Sequence, residues 1–136
     1  MNDLAHQRTT IRSYEDRYLR FLTKAGFAFR SGIGGVIPNG WTTIEQAEWM
    51  ASVAAISEDD LLLDIGAGRG WPGSLIAKET GARLVSVDVP LEALRQGAED
   101  LCKKLGPRVL QVCGDGRILP IGDAHFSAVC QADVLC

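Results

Sequence analysis

Long apolar runs are missing from this sequence. No stretch approaches the ~20 residues that span a bilayer, and the opening residues, MNDLAHQRTTIRSYEDRY, carry no apolar signal core. A cytoplasmic protein with no membrane partner is therefore expected. Excess basic charge is missing too. The formal net charge is -3 and the pI about 5.3. That leaves no basic stripe to draw a nucleic acid, and none is expected as a partner. The four cysteines, Cys102, Cys113, Cys130 and Cys136, form no C-x-x-C pair. They read as buried, reduced thiols rather than zinc ligands or disulfides, and no metal is expected. Histidine is scarce: only His6 and His125 occur, and His125 reads as a solvated loop residue, so no catalytic base stands out and the catalytic residues stay unassigned. Repeats and low-complexity segments are absent.

What is present is 136 residues with 46% apolar and 23% charged side chains, enough for one domain with one modest core. Ser13 and Asp16 have capping-box spacing. Tyr14, Tyr18, Phe21, Leu22 and Ala25 then share a helical face that Gly26 ends. The loop RSGIGGVIPNG follows, with Trp41 just beyond it. A second helix opens at Thr42 or Thr43, with Ile44, Ala47, Ala51, Ala54 and Ala55 as its buried stripe.

From residue 61 the rhythm changes. LLLDI is a short continuous apolar strand of the kind buried on both faces. RLVSVD and RVLQVC read as the second and third strands, and FSAVCQA as the fourth. Between them lie a helix after Pro72 that ends at Gly81, and a helix after Pro90. The second of these carries Leu91, Leu94, Ala98, Leu101 and Leu105 on its stripe and stops at Gly106 and Pro107. Alternation at this spacing predicts an α/β, Rossmann-like, doubly wound and mainly parallel sheet with right-handed crossovers and helices on both faces. Two units are expected: residues 1–60 as an N-terminal helical lid or cap, and residues 61–136 as the core.

The stretch LLLDIGAGRGWPG puts four glycines directly after a strand. Glycine permits positive φ and lets a ligand approach bare main chain, and the helix start beyond offers unpaired N–H groups. Two ligand classes suit such a turn. Gly68, Gly70 and Gly73 match the dinucleotide pattern G-x-G-x-x-G, with Asp88 twenty residues after Gly68. Yet the strand ends at Asp64 and Ile65, so the turn starts at Gly66 and reads G-x-G-x-G, with Trp71 where the third dinucleotide glycine would fall. Asp64 would also set a negative charge beside a pyrophosphate. The second class is a ligand with a cationic end.

At LLLDIGAGRG the sequence resembles the class I methyltransferases that use S-adenosylmethionine (SAM). The resemblance runs on through VSVDVP, GDGRILPI and CQADVL, covering Leu61 to Cys136. It implies a cofactor site made by Asp64, Gly66, Ala67, Gly68, Gly70, Asp88, Val89, Asp115, Gly116 and Gln131. Asp64 would hold the ammonium end, directly or through water. Gly66, Gly68 and Gly70 would pass under the methionine part and the ribose. Asp88 would accept the ribose hydroxyls, Val89 would pack on the adenine, and Asp115 with the Gly116 N–H would read its edge. Gln131 would line the methionine portion. The implied activity is methyl transfer to an acceptor that the motifs do not identify; from the acidic balance a small molecule is expected. The alternatives are an NAD(P)- or nucleotide-binding oxidoreductase domain and a non-catalytic SAM-binding or dimerising module. Trp41 and the loop before it suit an acceptor-side lid as well as a linker with a core tryptophan, and Trp71 also suits a core.

Members of that family continue past the fourth strand to a 3-2-1-4-5-7-6 sheet. This chain supplies 3-2-1-4, so a truncated fold is expected: a fragment, a natural short form, or a SAM-binding remnant. Each would leave the fourth-strand edge open, and self-association through that edge is expected.

Overall fold

A computed structural model describes residues 40–134. The helix expected from Ser13 and most of the glycine-rich loop after it lie outside the described residues. So does Cys136.

Helix α1 (Ile44–Val53) starts where its side chains can close its first turn. The Thr43 hydroxyl accepts from the Gln46 N–H at 3.2 Å, and the Gln46 side chain accepts from the Thr43 N–H at 2.8 Å. Ala47 and Ala51 are its buried residues. Ala54 and Ala55, expected on the same stripe, are exposed instead. The helix ends at Val53, and Ala55, at φ +50°, turns the chain toward the sheet.

The remaining elements follow in alternation: β1 (Leu61–Ile65), α2 (Gly73–Thr80), β2 (Arg83–Asp88), α3 (Leu91–Leu105), a 3-10 turn at Gly106–Arg108, β3 (Val109–Cys113) and β4 (Ala128–Cys130). The first three strands have the bounds that their apolar runs dictate, except that β3 begins at Val109. All pairs are parallel, in the order β3-β2-β1-β4. This is the mainly parallel, Rossmann-like sheet that the alternation predicts. The fourth strand is shorter than FSAVCQA. It pairs only from Ala128 to Cys130, opposite Leu62 to Asp64, while Phe126 packs into the core under the sheet.

Chain direction decides which face the helices take. The path β1 to β2 to β3 steps one way across the sheet, so two right-handed crossovers put α2 and α3 on the same face. There Leu62, Leu84, Trp71, Leu75, Ile76, Leu101 and Leu105 form the main core, with Ala47 and Ala51 of α1. The other face carries Leu63, Val85 and Val87, covered by Leu119, Ile121 and Phe126 of the β3–β4 connection. Among the described residues the helices therefore lie on one face, and an irregular crossover takes the place of the helix expected on the other. Leu110 and Val129 on that side remain exposed.

Helix α3 turns a slightly different side inward than its leucine spacing suggests. Ala93, Leu94, Gly97, Leu101 and Leu105 are buried, whereas Leu91 is exposed. The cysteines divide. Cys130 is buried in the main core, but Cys102 and Cys113 are exposed. Cys102 sits one residue, about 100° of helix, past buried Leu101, and Cys113 ends an edge strand. No helix among the described residues is long and apolar enough to cross a membrane.

Candidate functional site at the carboxyl edge of the sheet

Four parallel strands deliver their carboxyl ends to one edge. Strand order reverses beside β1, which has β2 on one side and β4 on the other. Ligands of open parallel sheets bind at that point. The glycine turn begins there directly, since Gly66 follows the last residue of β1. Gly66, Gly68 and Gly70 have φ of +76°, +56° and +106°, values that side-chain-bearing residues rarely adopt.

The backbone of this turn is tied to β2. The Gly66 and Ala67 N–H groups donate to the Val87 carbonyl at 2.8 and 3.3 Å. Two carboxylates complete the hold. Asp88 Oδ2 accepts from Gly68 N–H at 2.6 Å, and its Oδ1 accepts from Val89 N–H at 2.7 Å. Asp64 lies beneath the turn, where Oδ2 accepts from Gly73 N–H, at the start of α2, at 2.9 Å. Its side chain is 1% exposed, and Oδ1 has no hydrogen-bond partner in the chain. Burial pushes the Asp64 carboxyl up to about 8; the Gly73 N–H pulls it down, and the Asp88 charge adds to the rise. Burial also raises Asp88, against the pull of the Gly68 and Val89 N–H groups.

The site residues expected from the sequence do not all stand alike. Gly66, Ala67, Gly68, Gly70, Asp88 and Val89 are brought together around the turn and the end of β2. Gly116 joins them: a Cβ built on it would lie 3.0 Å from Cγ2 of Ile65, the last residue of β1. The Gly114 N–H donates to the Asp88 carbonyl at 2.9 Å and closes the gap between the β2 and β3 ends. Gln131 is exposed directly after β4. Asp64 is under the floor rather than on it. Asp115 is taken by its own loop, where Oδ1 accepts from Arg117 N–H at 2.9 Å and both oxygens accept from Arg117 Nε at 3.0 Å. The guanidinium holds its carboxyl down at about 2.

Several contacts escaped sequence reasoning. A Cβ at Gly97 would lie 2.3 Å from the Arg69 carbonyl oxygen, so α3 rests directly on the glycine turn. A lone glycine inside an amphipathic helix was the available signal. The Thr42 N–H and hydroxyl both donate to Asp133 Oδ2 at 3.0 Å, joining the approach to α1 to the residues after β4. Trp71 is 4% exposed in the main core, and its indole N–H donates to the Thr42 carbonyl at 3.0 Å. Trp41, by contrast, is 74% exposed beside that junction, so it is no core residue. His125 is an exposed loop residue, as its sequence context suggests.

The fold and this edge define a Rossmann-like α/β domain. Comparison with known proteins narrows it. Residues 62–136 match the family model described as a methyltransferase domain, and the chain belongs to that family. It is similar to the sterol 24-C-methyltransferase of Eremothecium gossypii, 34% identical over 89 residues that make up 65% of this chain and 24% of that protein. It is also similar to a tRNA1(Val) (adenine(37)-N6)-methyltransferase of Bacteroides fragilis, 27% identical over 67% of this chain and 34% of that one. The chain thus spans about a quarter to a third of the length of these curated relatives. Among solved structures, an RNA methyltransferase from Salinibacter ruber, in complex with S-adenosyl-L-homocysteine, shares the fold. Its TM-score is 0.60 at 21% identity, covering 66% of this chain and 58% of that one.

Proposed function

We propose that the chain binds SAM at the carboxyl edge of the sheet and serves methyl transfer. The observation that carries this reading is the pairing of Asp88 with the glycine turn. A carboxylate at the end of β2 stands beside three positive-φ glycines and fixes the middle one through its N–H. Each Asp88 oxygen accepts one backbone hydrogen bond, and a carboxylate oxygen has capacity for another. That leaves acceptors for a ribose diol. The orphaned Asp64 Oδ1 is the acceptor under the turn for an ammonium, reached through water because the side chain is buried, and a bound cation favours its ionised form. Val89 and Gly116 suit the adenine, and Gln131 the methionine chain.

Asp115 fits only in an altered form. Its carboxylate is held by Arg117, so accepting from an adenine amino group requires it to share or exchange that partner. The oxidoreductase alternative loses ground to family membership.

SAM, when bound, supplies an electrophilic methyl group on a sulfonium. The chain then has to orient it, exclude water and present an acceptor in line, an effect worth about 7–11 kcal/mol. Exposed Trp41, next to the Thr42–Asp133 junction, is the acceptor-side contact in this reading. We take the acceptor to be a small molecule, on the strength of the acidic balance; the relatives act on a sterol in one case and a tRNA in another by their descriptions.

The test is calorimetric titration with SAM and, separately, NAD. Wild type is expected to bind SAM and not NAD. Asp88→Ala is expected to lose tenfold or more in SAM affinity, in line with about 1.5–3 kcal/mol for a hydrogen bond to a charged group, with its circular dichroism retained. Unchanged affinity in a folded Asp88→Ala protein refutes the ribose assignment.

A further inference from the structure

A row of polar side chains crosses the sheet one step below the site. By strand register Gln111 of β3 lies opposite Ser86 of β2, Ser86 opposite Asp64 of β1, and Asp64 opposite Cys130 of β4. Side chains alternate along a strand, so all four share the face of Leu62, Leu84, Val109 and Ala128, the face covered by the helices. The setting is apolar and closed. Asp64 and Ser86 are 1% and 0% exposed.

Three atoms in this row have no hydrogen-bond partner in the chain: Asp64 Oδ1, Ser86 Oγ and Gln111 Nε2. They are the whole set of such side-chain atoms among the described residues, and they fall on three adjacent strands in one register line. An unsatisfied buried polar group costs about 1–3 kcal/mol, so three together call for a shared partner. No direct bond joins them, and the spacing of neighbouring strands, about 4.8 Å, is a span that one water bridges with two hydrogen bonds. The chemistry also has a direction. An amide Nε2 only donates, a serine hydroxyl donates and accepts, and an ionised carboxylate only accepts.

We propose that Ser86 and Gln111, joined by internal waters, are positioning residues that ease the ionisation of buried Asp64 when a cationic ligand binds. The donation runs Gln111 to water to Ser86 to water to Asp64 Oδ1, and each link stabilises the negative charge at its end. The ionisable groups that interact with Asp64 are Asp88 from β2, which opposes its charge, and the buried Cys130 thiol from β4, itself pushed up to about 12 by burial and by the Asp64 charge. Helix α2 contributes the Gly73 N–H and no acidic side chain in its first turn. The row is thus the source of donors that offsets Asp88.

The inference rests on the SAM reading for its use, but its physical part is measured without ligand. The ligand-free protein is labelled with 13C at aspartate carboxyls, and Asp64, assigned by its loss in Asp64→Asn, is titrated. Ser86→Ala and Gln111→Leu are each expected to raise the Asp64 midpoint by about one pH unit, a tenfold change in its ionisation. Ser86→Thr, which keeps the hydroxyl, is expected to stay at the wild-type midpoint. SAM affinity near neutral pH is expected to fall about tenfold in Ser86→Ala and to recover at higher pH. If Ser86→Ala does not fold, Gln111→Leu on the edge strand decides alone. Midpoints unchanged in the folded variants overturn the proposal. Failure of wild type to bind SAM at any pH refutes the proposed function, while the carboxyl titration still decides the row.

Discussion

At the scale of single residues the site is governed by two carboxylates that serve the backbone before they serve any ligand. Asp88 fixes Gly68, and Asp64 fixes Gly73. Asp64 has a consequence for stability. Its folded value, about 8, lies above the ordinary 3.8, so between these limits the folded state binds the extra proton. Its contribution to stability is complete below pH 4 and is lost as pH rises toward 8, with a limiting slope of about 1.4 kcal/mol per pH unit. Asp88 is shifted in the same direction. Asp115, held near 2, acts with the opposite sign and below this window. Asp64→Asn keeps an oxygen for the Gly73 N–H but carries no charge. Urea unfolding between pH 4.5 and 7.5 is expected to give a flatter stability profile than wild type, with the variant gaining relative stability toward the upper end. A parallel decline in both proteins refutes the burial of an ionisable Asp64. The placing of Asp64, Asp88 and the glycines at one edge of the sheet was legible in the sequence, because each stands at or just past the end of a short apolar strand. The sequence could not show that Asp64 lies under the turn, or that Arg117 claims Asp115, because both depend on side-chain direction rather than order along the chain.

At the scale of elements, what positions the glycine turn is α3 as much as β1. The turn lies between them: Gly70 packs toward Leu101, and Gly97 brings the helix backbone onto the Arg69 carbonyl. This explains why α3 buries Gly97 rather than Leu91. Helical spacing of leucines points to a stripe, but a glycine adds nothing to that pattern, so the face it selects is invisible until the turn is in place. Strand ends show the complementary case. LLLDI and RLVSVD were legible to the residue, since continuous apolar runs bounded by turns leave little choice, whereas β4 takes only the part of FSAVCQA that faces β1. Gly97→Ala tests the contact between helix and turn. Its Cβ would fall 2.3 Å from a backbone oxygen, which cannot rotate away as a side chain can, and such overpacking costs about 1–3 kcal/mol. The urea midpoint is expected to drop accordingly and SAM affinity with it. A wild-type midpoint in Gly97→Ala would mean that α3 does not rest on the turn.

At the scale of the whole molecule the sheet divides the protein into unequal halves. Among the described residues, one face has three helices and the main core; the other has a crossover whose Leu119, Ile121 and Phe126 cover Leu63, Val85 and Val87. The alternation of elements predicted the sheet and its order but not this asymmetry, since the β3–β4 connection has no periodicity to read. The site lies on the edge common to both halves, and it gathers backbone from the ends of β1, β2 and β3 together with the start of α2. A ligand seated there binds only the folded arrangement of all of them, so occupancy must appear as global stability. At a hundredfold excess over Kd, that linkage amounts to about 2.7 kcal/mol. For a chain of 136 residues each kcal/mol moves Tm by roughly 3–4 °C, so saturating SAM is expected to raise the thermal midpoint by roughly 8–11 °C. NAD at the same concentration is expected to leave it in place. A smaller shift confined to part of the transition would instead mean that the glycine turn and α2 respond alone, and that the carboxyl edge does not act as a single binding surface.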